Sequence, residues 1–305
     1  MDLREGEARP AIEAFLALFG IIAGHTILET ARDASFRAGE TIYRAGDFTR
    51  LIHFVTLGEV ELSAVNAEPR RLQAPAVIGA INVNLRRPFS RTATAITDVR
   101  ALVLREDDWI DALEEHFEFA HTSVIRGADN LHKLRLATSP SGGFAEPPAP
   151  SDEEPHALNL QERTLALRGV SIFRTAGIQA LALLATGATE RALAPGERLF
   201  ARDEPAKTLV VVARGTIRIE REDPVIRARF GPGSLVGGGA SISFVTRPFA
   251  AEAEGSAVVL ELHREDVIDA LEDHVELIHS TLAGLAAERE HLLLEQARLA
   301  KLARG

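Results

Sequence analysis

Hydrophobic and polar positions along the chain follow two different periods. Apolar stretches from Ala14 to Gly24 and from Ala176 to Ala185 lie in regions read as helical, roughly 11–33 and 160–187. The first stretch is about half the roughly 20 residues that a bilayer requires. Its recurrence in the second half argues for a buried helix, not a leader or a membrane span. Short alternating or β-branched runs follow, punctuated by Gly and Pro. They predict strands over 41–44, 51–56, 59–65, 71–73 and 101–104, and again over 198–201, 208–213, 216–220, 225–230 and 257–262. Each series ends in helical stepping by threes and fours. The first runs through Ile110, Leu113, Phe117, Ala120, Val124, Gly127, Leu131 and Leu134. The second runs through Ile268, Leu271, Val275, Ile278, Leu282 and Leu285, then Leu292 and Leu299. Such stepping is either a helix–helix seam or one amphipathic helix lying on its own sheet; beyond Leu285 the stripe outruns a sheet and predicts contact with another helix.

The two series are copies of each other. The heptapeptide beginning at Ile110 returns almost unchanged at Ile268, 158 residues on. Gly39-Glu40 matches Gly196-Glu197, Gly58 matches Gly215, and Arg87-Pro88-Phe89 matches Arg247-Pro248-Phe249. A repeat of that length is a whole domain, not a solenoid unit. Between the copies, Thr138 to Pro155 is rich in Pro, Gly, Ser and acid, and reads as a tether. The expected organisation is therefore a first domain at 1–136, a linker at 137–158 and a second domain at 159–305. The expected fold class is α+β, mainly β: two tandem jelly-roll-like β-rolls, each flanked by N-terminal helices and closed by a long C-terminal helix.

Composition narrows the chemistry. The 305 residues carry 34 basic and 44 acidic side chains, a net charge of −10, and only 5% aromatics. A nucleic-acid backbone is repelled on average, and the segment from Leu294 to Gly305 is too short for a helix-turn-helix reader, so DNA binding is not expected. The absence of cysteine removes disulfides, thiolate metal sites and cysteine nucleophiles. Ten histidines form no His-x-x-x-His or His-Glu-x-x-His pattern. His116 and His274, like His121 and His279, are repeat-equivalent positions, which suggests a shared structural role. Gly237-Gly238-Gly239 lacks the lysine of a phosphate loop and reads as a wide turn. The acidic runs Glu106-Asp107-Asp108 and Glu265-Asp266 begin the closing helices, where they stabilise the positive end of the helix dipole. No catalytic residues, no metal site and no cofactor are expected; the chain reads as a non-enzyme of the cytoplasm, with no membrane partner.

One constellation resembles a known family. Gly39, Glu40, Ile42, Gly46 and Asp47, then Gly58, then the segment from Val77 to Ala95 with a strand and a closing helix after it, resemble the cyclic-nucleotide-binding domain. The resemblance implies a phosphate cassette at Gly79, Ala80, Ile81, Asn82, Arg91 and Thr92. Arg91 would pair with the cyclic phosphate, the amides of Ile81 and Asn82 would line a short helix start, and Thr92 tilts the choice of ligand from cyclic AMP towards cyclic GMP. The family's ribose-accepting glutamate is replaced by Ala80, a loss of about 1.5–3 kcal/mol, or one to two decades of affinity. In the second copy, anchoring on Pro248 puts Ala251 at the arginine position and Gly238 or Ala240 at the glutamate position, with Glu252 and Glu254 close to where a phosphate would sit. That copy is expected to bind nothing by the usual contacts. The implied function is a regulatory or sensor protein with tandem domains and a ligand site in the first. The alternative is a scaffold or assembly subunit with both pockets vestigial. A protein partner or a second copy of the chain is expected to dock through the C-terminal helix.

Overall fold

The computed structural model describes residues 30–64, 67–138, 143–144, 146–147, 157–243 and 246–302. The apolar stretch at 14–24, most of the expected first helix and most of the expected tether lie outside the described residues.

The first half places β1 (Arg32–Phe36), β2 (Thr41–Tyr43), β3 (Leu51–Leu57), β4 (Glu59–Ala64), β5 (Ala67–Gln73) and β6 (Ala76–Ile78) ahead of a short helix α1 (Ala80–Asn84). Then come β7 (Thr92–Ala95), β8 (Val99–Arg105), α2 (Glu106–Glu115) and α3 (Phe117–Leu136). The strands form two antiparallel four-stranded sheets, ordered β1-β8-β3-β6 and β2-β7-β4-β5. Alternation along each strand turns one set of side chains inward: Tyr43, Val55, Val60, Ile78, Phe89, Ala93, Ala95 and Val99 make one buried cluster.

The second half repeats this plan after α4 (Leu160–Gly169), a 3-10 turn at Ser171–Phe173 and α5 (Ile178–Gly187). Asn159 starts α4 with a reciprocal cap: its side chain accepts from the Glu162 amide at 3.0 Å, and the Glu162 carboxylate accepts from the Asn159 amide at 2.9 Å. The strands are β9 (Thr189–Leu193), β10 (Arg198–Phe200), β11 (Thr208–Arg214), β12 (Ile217–Glu222), β13 (Val225–Phe230), β14 (Ser234–Leu235), β15 (Ala250–Ala253) and β16 (Ala257–His263), with a 3-10 turn at Gly239–Ile242 before β15. Their sheets are ordered β14-β11-β16-β9 and β10-β15-β12-β13, so the pairing of the first half recurs strand for strand. The helices α6 (Arg264–Asp273) and α7 (Val275–Leu302) close it. Among the described residues, those of 30–123 with 297–302 form one compact unit and those of 124–296 a second.

The helical region expected at 160–187 comprises two helices separated by the 3-10 turn. One expectation needs correction. Neither closing helix is continuous: each breaks at the repeated histidine, His116 in one copy and His274 in the other, with nearly identical extended torsions. The break rephases the helix. Phe119, not Phe117, becomes fully buried, and its ring meets Trp109 edge-on at 5.2 Å. Along α7, Leu292 is buried and Leu299 is 37% exposed.

Candidate ligand site

The cassette of the first roll is shaped by one backbone requirement. Gly79 follows β6 at φ +89°, a left-handed conformation that side-chain-bearing residues rarely adopt. A Cβ at that position would stand 2.6 Å from the Leu51 carbonyl oxygen. The turn launches α1, whose first amides are used internally: the Asn82 and Val83 N–H groups donate to the Gly79 carbonyl at 3.0 and 3.1 Å. The Asn82 amide, expected to face a ligand, is therefore already engaged. The Asn82 side chain instead donates to the Pro88 carbonyl at 2.9 Å and ties the helix to the loop that carries Arg91. At the far end of α1, Asn84 Oδ1 accepts from the Trp109 indole at 3.2 Å, which links the cassette to α2.

Arg91 stands two residues ahead of Ala93, whose side chain is fully buried inside the roll, so Arg91 has inward parity. Its Nη1 donates to the Glu68 carbonyl at 3.4 Å. A second guanidinium shares this mouth. Arg70 on β5 lies opposite Leu62 on β4, and Leu62 is also the cross-strand neighbour of Ala93. Burial lowers the pKa of Arg70 from its ordinary value, and the positive charge of Arg91 lowers it further. Below them Tyr43 stacks on Phe89 with ring centroids 3.9 Å apart. Burial raises the Tyr43 phenol well above its ordinary range, against a smaller opposing pull from Arg91. The Thr92 hydroxyl accepts from the Ala45 amide at 3.0 Å, so one of its oxygen lone pairs is used by the adjacent turn. Gly79, Ala80, Ile81 and Asn82 thus sit on one short segment, with Arg91 and Thr92 at the start of β7. Arg70 and Tyr43 are the site residues that sequence reasoning missed. The inward alternation of Arg70 with Leu72 was the available signal for the first.

Strand register gives the second roll's equivalents. Leu62 is flanked by Ala93 and Arg70, and Ile219 is flanked in the same way by Ala251 and Ala228. Ala251 therefore corresponds to Ala93, Ala228 to Arg70, and Phe249, two residues earlier, to Arg91. Backbone pairing agrees: the Gly46 amide donates to the Phe89 carbonyl, and the Asp203 amide to the Arg247 carbonyl. The shared Arg-Pro-Phe tripeptides are therefore offset by two residues in space, and anchoring on Pro248 misplaced the arginine position at Ala251. Arg247 instead takes the place of Phe89, its guanidinium 4.3 Å over the Phe200 ring, where Phe89 stacks on Tyr43. On β6 and β14, Phe54 pairs with Val77 and Val211 with Leu235, so Ala80 corresponds to Gly238. Glu252 and Glu254 alternate with the buried Ala251 and Ala253. Both point away from the roll interior, Glu252 to Arg218 and Glu254 to Arg229; they do not face a phosphate position.

Among the described residues, no group of three or more His, Asp or Glu is placed to hold a metal ion. No helix among them is long and apolar enough to cross a membrane.

Comparison with known proteins falls on the same two segments. The family model for the cyclic nucleotide-binding domain matches residues 34–116 and 190–274. Comparison with curated proteins finds no match. Among solved structures, the chain is similar to cAMP-bound PfPKA-R at 16% identity, over 88% of this chain and 86% of that one, with a TM-score of 0.37. It is similar to the regulatory domain of Toxoplasma gondii PKA with cAMP at 15% identity, over 94% and 100%, with a TM-score of 0.35. A third is the regulatory subunit of a cAMP-independent protein kinase A from Trypanosoma cruzi bound to guanosine, at 14% identity, over 88% and 86%, with a TM-score of 0.35. The two family matches together span more than half of the chain and coincide with the two rolls whose register has been traced, so the chain belongs to the cyclic nucleotide-binding domain family and carries two copies of that domain in tandem.

Proposed function

We propose that the first roll is the sensing domain of a non-catalytic regulatory protein and takes a cyclic nucleotide through its phosphate. One observation carries this reading. The inward positions occupied by Arg70 and Arg91 in the first roll hold Ala228 and Phe249 in the second, so a cationic mouth exists in one copy only. Two neighbouring guanidiniums and no carboxylate at the Ala80 position favour an anionic ligand over a neutral one. The missing acceptor at Ala80 weakens the hold on the ribose, so affinity is modest. The Thr92 hydroxyl keeps its proton free to donate to a ligand acceptor while its oxygen accepts from Ala45.

The signal leaves through Trp109. A ligand that moves α1 moves Asn84, and Asn84 holds the Trp109 indole on α2. Trp109 in turn packs on Phe54 of β3 and Phe119 of α3. Ligand occupancy thus acts on the closing helices, where a protein partner or a second copy of the chain would read it. The other reading, a scaffold with both sites vestigial, has Ala80 and Gly238 in its favour.

Isothermal calorimetry with cyclic AMP, cyclic GMP and cyclic dinucleotides separates the two. The sensing reading expects binding to the wild-type chain, at least tenfold weaker binding to Arg91→Ala and Arg70→Ala, and a change in Trp109 emission on binding. Absence of heat with every ligand, with no difference between wild type and Arg91→Ala, selects the scaffold.

A further inference from the structure

The place in the second roll that corresponds to the nucleotide site is not empty. Where the cassette glutamate of the family would stand, Gly238 has φ +76°, and a Cβ there would meet Phe144 at 3.0 Å, Arg135 at 3.1 Å and Glu288 at 3.2 Å. These three side chains come from the segment that leads out of α3 and from α7. Arg135 is 4% exposed; its Nη2 donates to Glu288 Oε2 at 2.6 Å, and its guanidinium lies 3.8 Å over the Phe144 ring. Glu288 also accepts from the Gly239 amide at 3.3 Å, at the first residue of the 3-10 turn, and from the Ser171 hydroxyl. Phe144 sets its edge against Phe230 at 4.8 Å and Phe249 at 6.4 Å. His132 meets Phe249 from α3 at 6.3 Å. Leu136 and Phe144 both pack on the roll's apolar cluster. Phe249 is the residue that register places at the position of Arg91.

We propose that the second roll carries its own ligand: the Glu288 carboxylate stands for the anion at the head of the 3-10 turn, Arg135 for the guanidinium that the roll itself has lost, and Phe144 for the flat apolar body. The components match what a nucleotide site must supply. A buried carboxylate needs donors, and it has a guanidinium, an amide and a hydroxyl. A buried guanidinium needs an anion and tolerates an aromatic face, and Arg135 has both. Burial lowers the Arg135 pKa, while Glu288 opposes that shift. The second roll is thereby held in a filled state by the chain, with the end of α3 and the middle of α7 pinned to it, and the protein takes at most one cyclic nucleotide.

Phe144 makes this testable because it is the one aromatic residue between Thr138 and Pro155, hence the natural chymotrypsin site in that segment. In the full-length chain under native conditions, cleavage after Phe144 should be at least tenfold slower than in a synthetic peptide of residues 138–150. It should become at least tenfold faster in Arg135→Met and in Glu288→Gln. Wild-type cleavage at the peptide's rate, or equal rates in wild type and Arg135→Met, overturns the proposal; the peptide comparison decides even where a variant fails to fold. Calorimetric uptake of two cyclic AMP or two cyclic GMP per chain also overturns it. Failure of the first roll to bind any nucleotide would remove the proposed function and leave the protease result as the judge of this inference.

Discussion

Acid should unfold the first roll before the second, and His53 is the reason. The side chain is 4% exposed on β3, between Phe36 at 6.2 Å and Tyr43 at 5.8 Å. Its Nδ1 is buried with no hydrogen-bond partner among the described residues. Burial therefore penalises the imidazolium and lowers the pKa from 6.5 to about 4. The folded pKa is below the unfolded one, so the unfolded chain binds the proton first as pH falls. The roll keeps its full stability above about pH 6.5 and loses it progressively towards pH 4, below which both states are charged. A shift of this size corresponds to about 3 kcal/mol across the window. For a domain of this length, that is on the order of 10 °C in melting temperature. The corresponding position in the second roll is Val210, which pairs with Glu261 on β16 as His53 pairs with Val103 on β8, and it carries no such liability. Trp109 is the only tryptophan and reports on the first roll by fluorescence. Thermal melts followed at Trp109 from pH 8 to pH 4 should fall steeply below pH 6.5 in the wild type and much less in His53→Val. His121, whose pKa burial also lowers, leaves a residual slope. If the acid limb of the Trp109 melt is the same in wild type and His53→Val, the assignment to His53 is refuted.

Two further substitutions test the local geometry. Gly79→Ala forces a Cβ to 2.6 Å from the Leu51 oxygen on top of a φ of +89°. It should cost well over the ~1 kcal/mol of conformational strain alone, whereas Gly39→Ala, at φ +85° with nothing within 4 Å, should show the strain alone; chemical denaturation compares them. Asn159→Ala removes the side-chain half of the cap on α4 and should lower stability by about 1 kcal/mol, while Asn159→Asp should keep most of it; a cost below 0.3 kcal/mol by the same measurement, within the order of experimental scatter, contradicts the cap.

Duplication was legible because the repeated motifs are local: a heptapeptide at the end of α2 and α6 and glycines at positive φ such as Gly58 and Gly215. The longer strands were legible from alternation, and 225–230 coincides with β13. Of the short strands, β2 and β10 were expected at 41–44 and 198–201. In contrast, β6, β7, β14 and β15 were not, because two to four residues such as Thr92–Ala95 or Ala250–Ala253 carry few side chains to set a period. The five-residue β1 and β9 were also missed, β1 because it begins inside the region read as helical. Their pairing comes from neighbours distant in the chain. The breaks at His116 and His274 were illegible for a different reason. No Gly or Pro marks them. The candidate site was half legible: motif order pointed to Arg91 and the cassette segment, whereas Arg70 and Tyr43 are brought beside them only by tertiary pairing and packing.

That register also exposes how identity of sequence misleads. The two Arg-Pro-Phe tripeptides look like the best anchor in the loop, yet each residue occupies the place of a different one in the other copy, and the error conceals the pattern that separates the rolls. Once aligned by pairing, four positions differ in the same sense, Tyr43 against Phe200, His53 against Val210, Arg70 against Ala228 and Arg91 against Phe249, while the buried pair Phe89 and Arg247 runs the other way. Each polar member costs stability when buried without full hydrogen bonding, about 1–3 kcal/mol per group. A roll that served only as a support would gain by shedding them, and the second roll holds the apolar residue at all four positions. The first roll keeps four costly groups, three of them, Tyr43, Arg70 and Arg91, at the candidate site. Replacing all four with their counterparts should raise its melting temperature and, if those groups exist to hold an anion, abolish nucleotide binding in the same protein. A stabilised quadruple variant that bound cyclic nucleotide as tightly as the wild type would show that the polar lining serves something else.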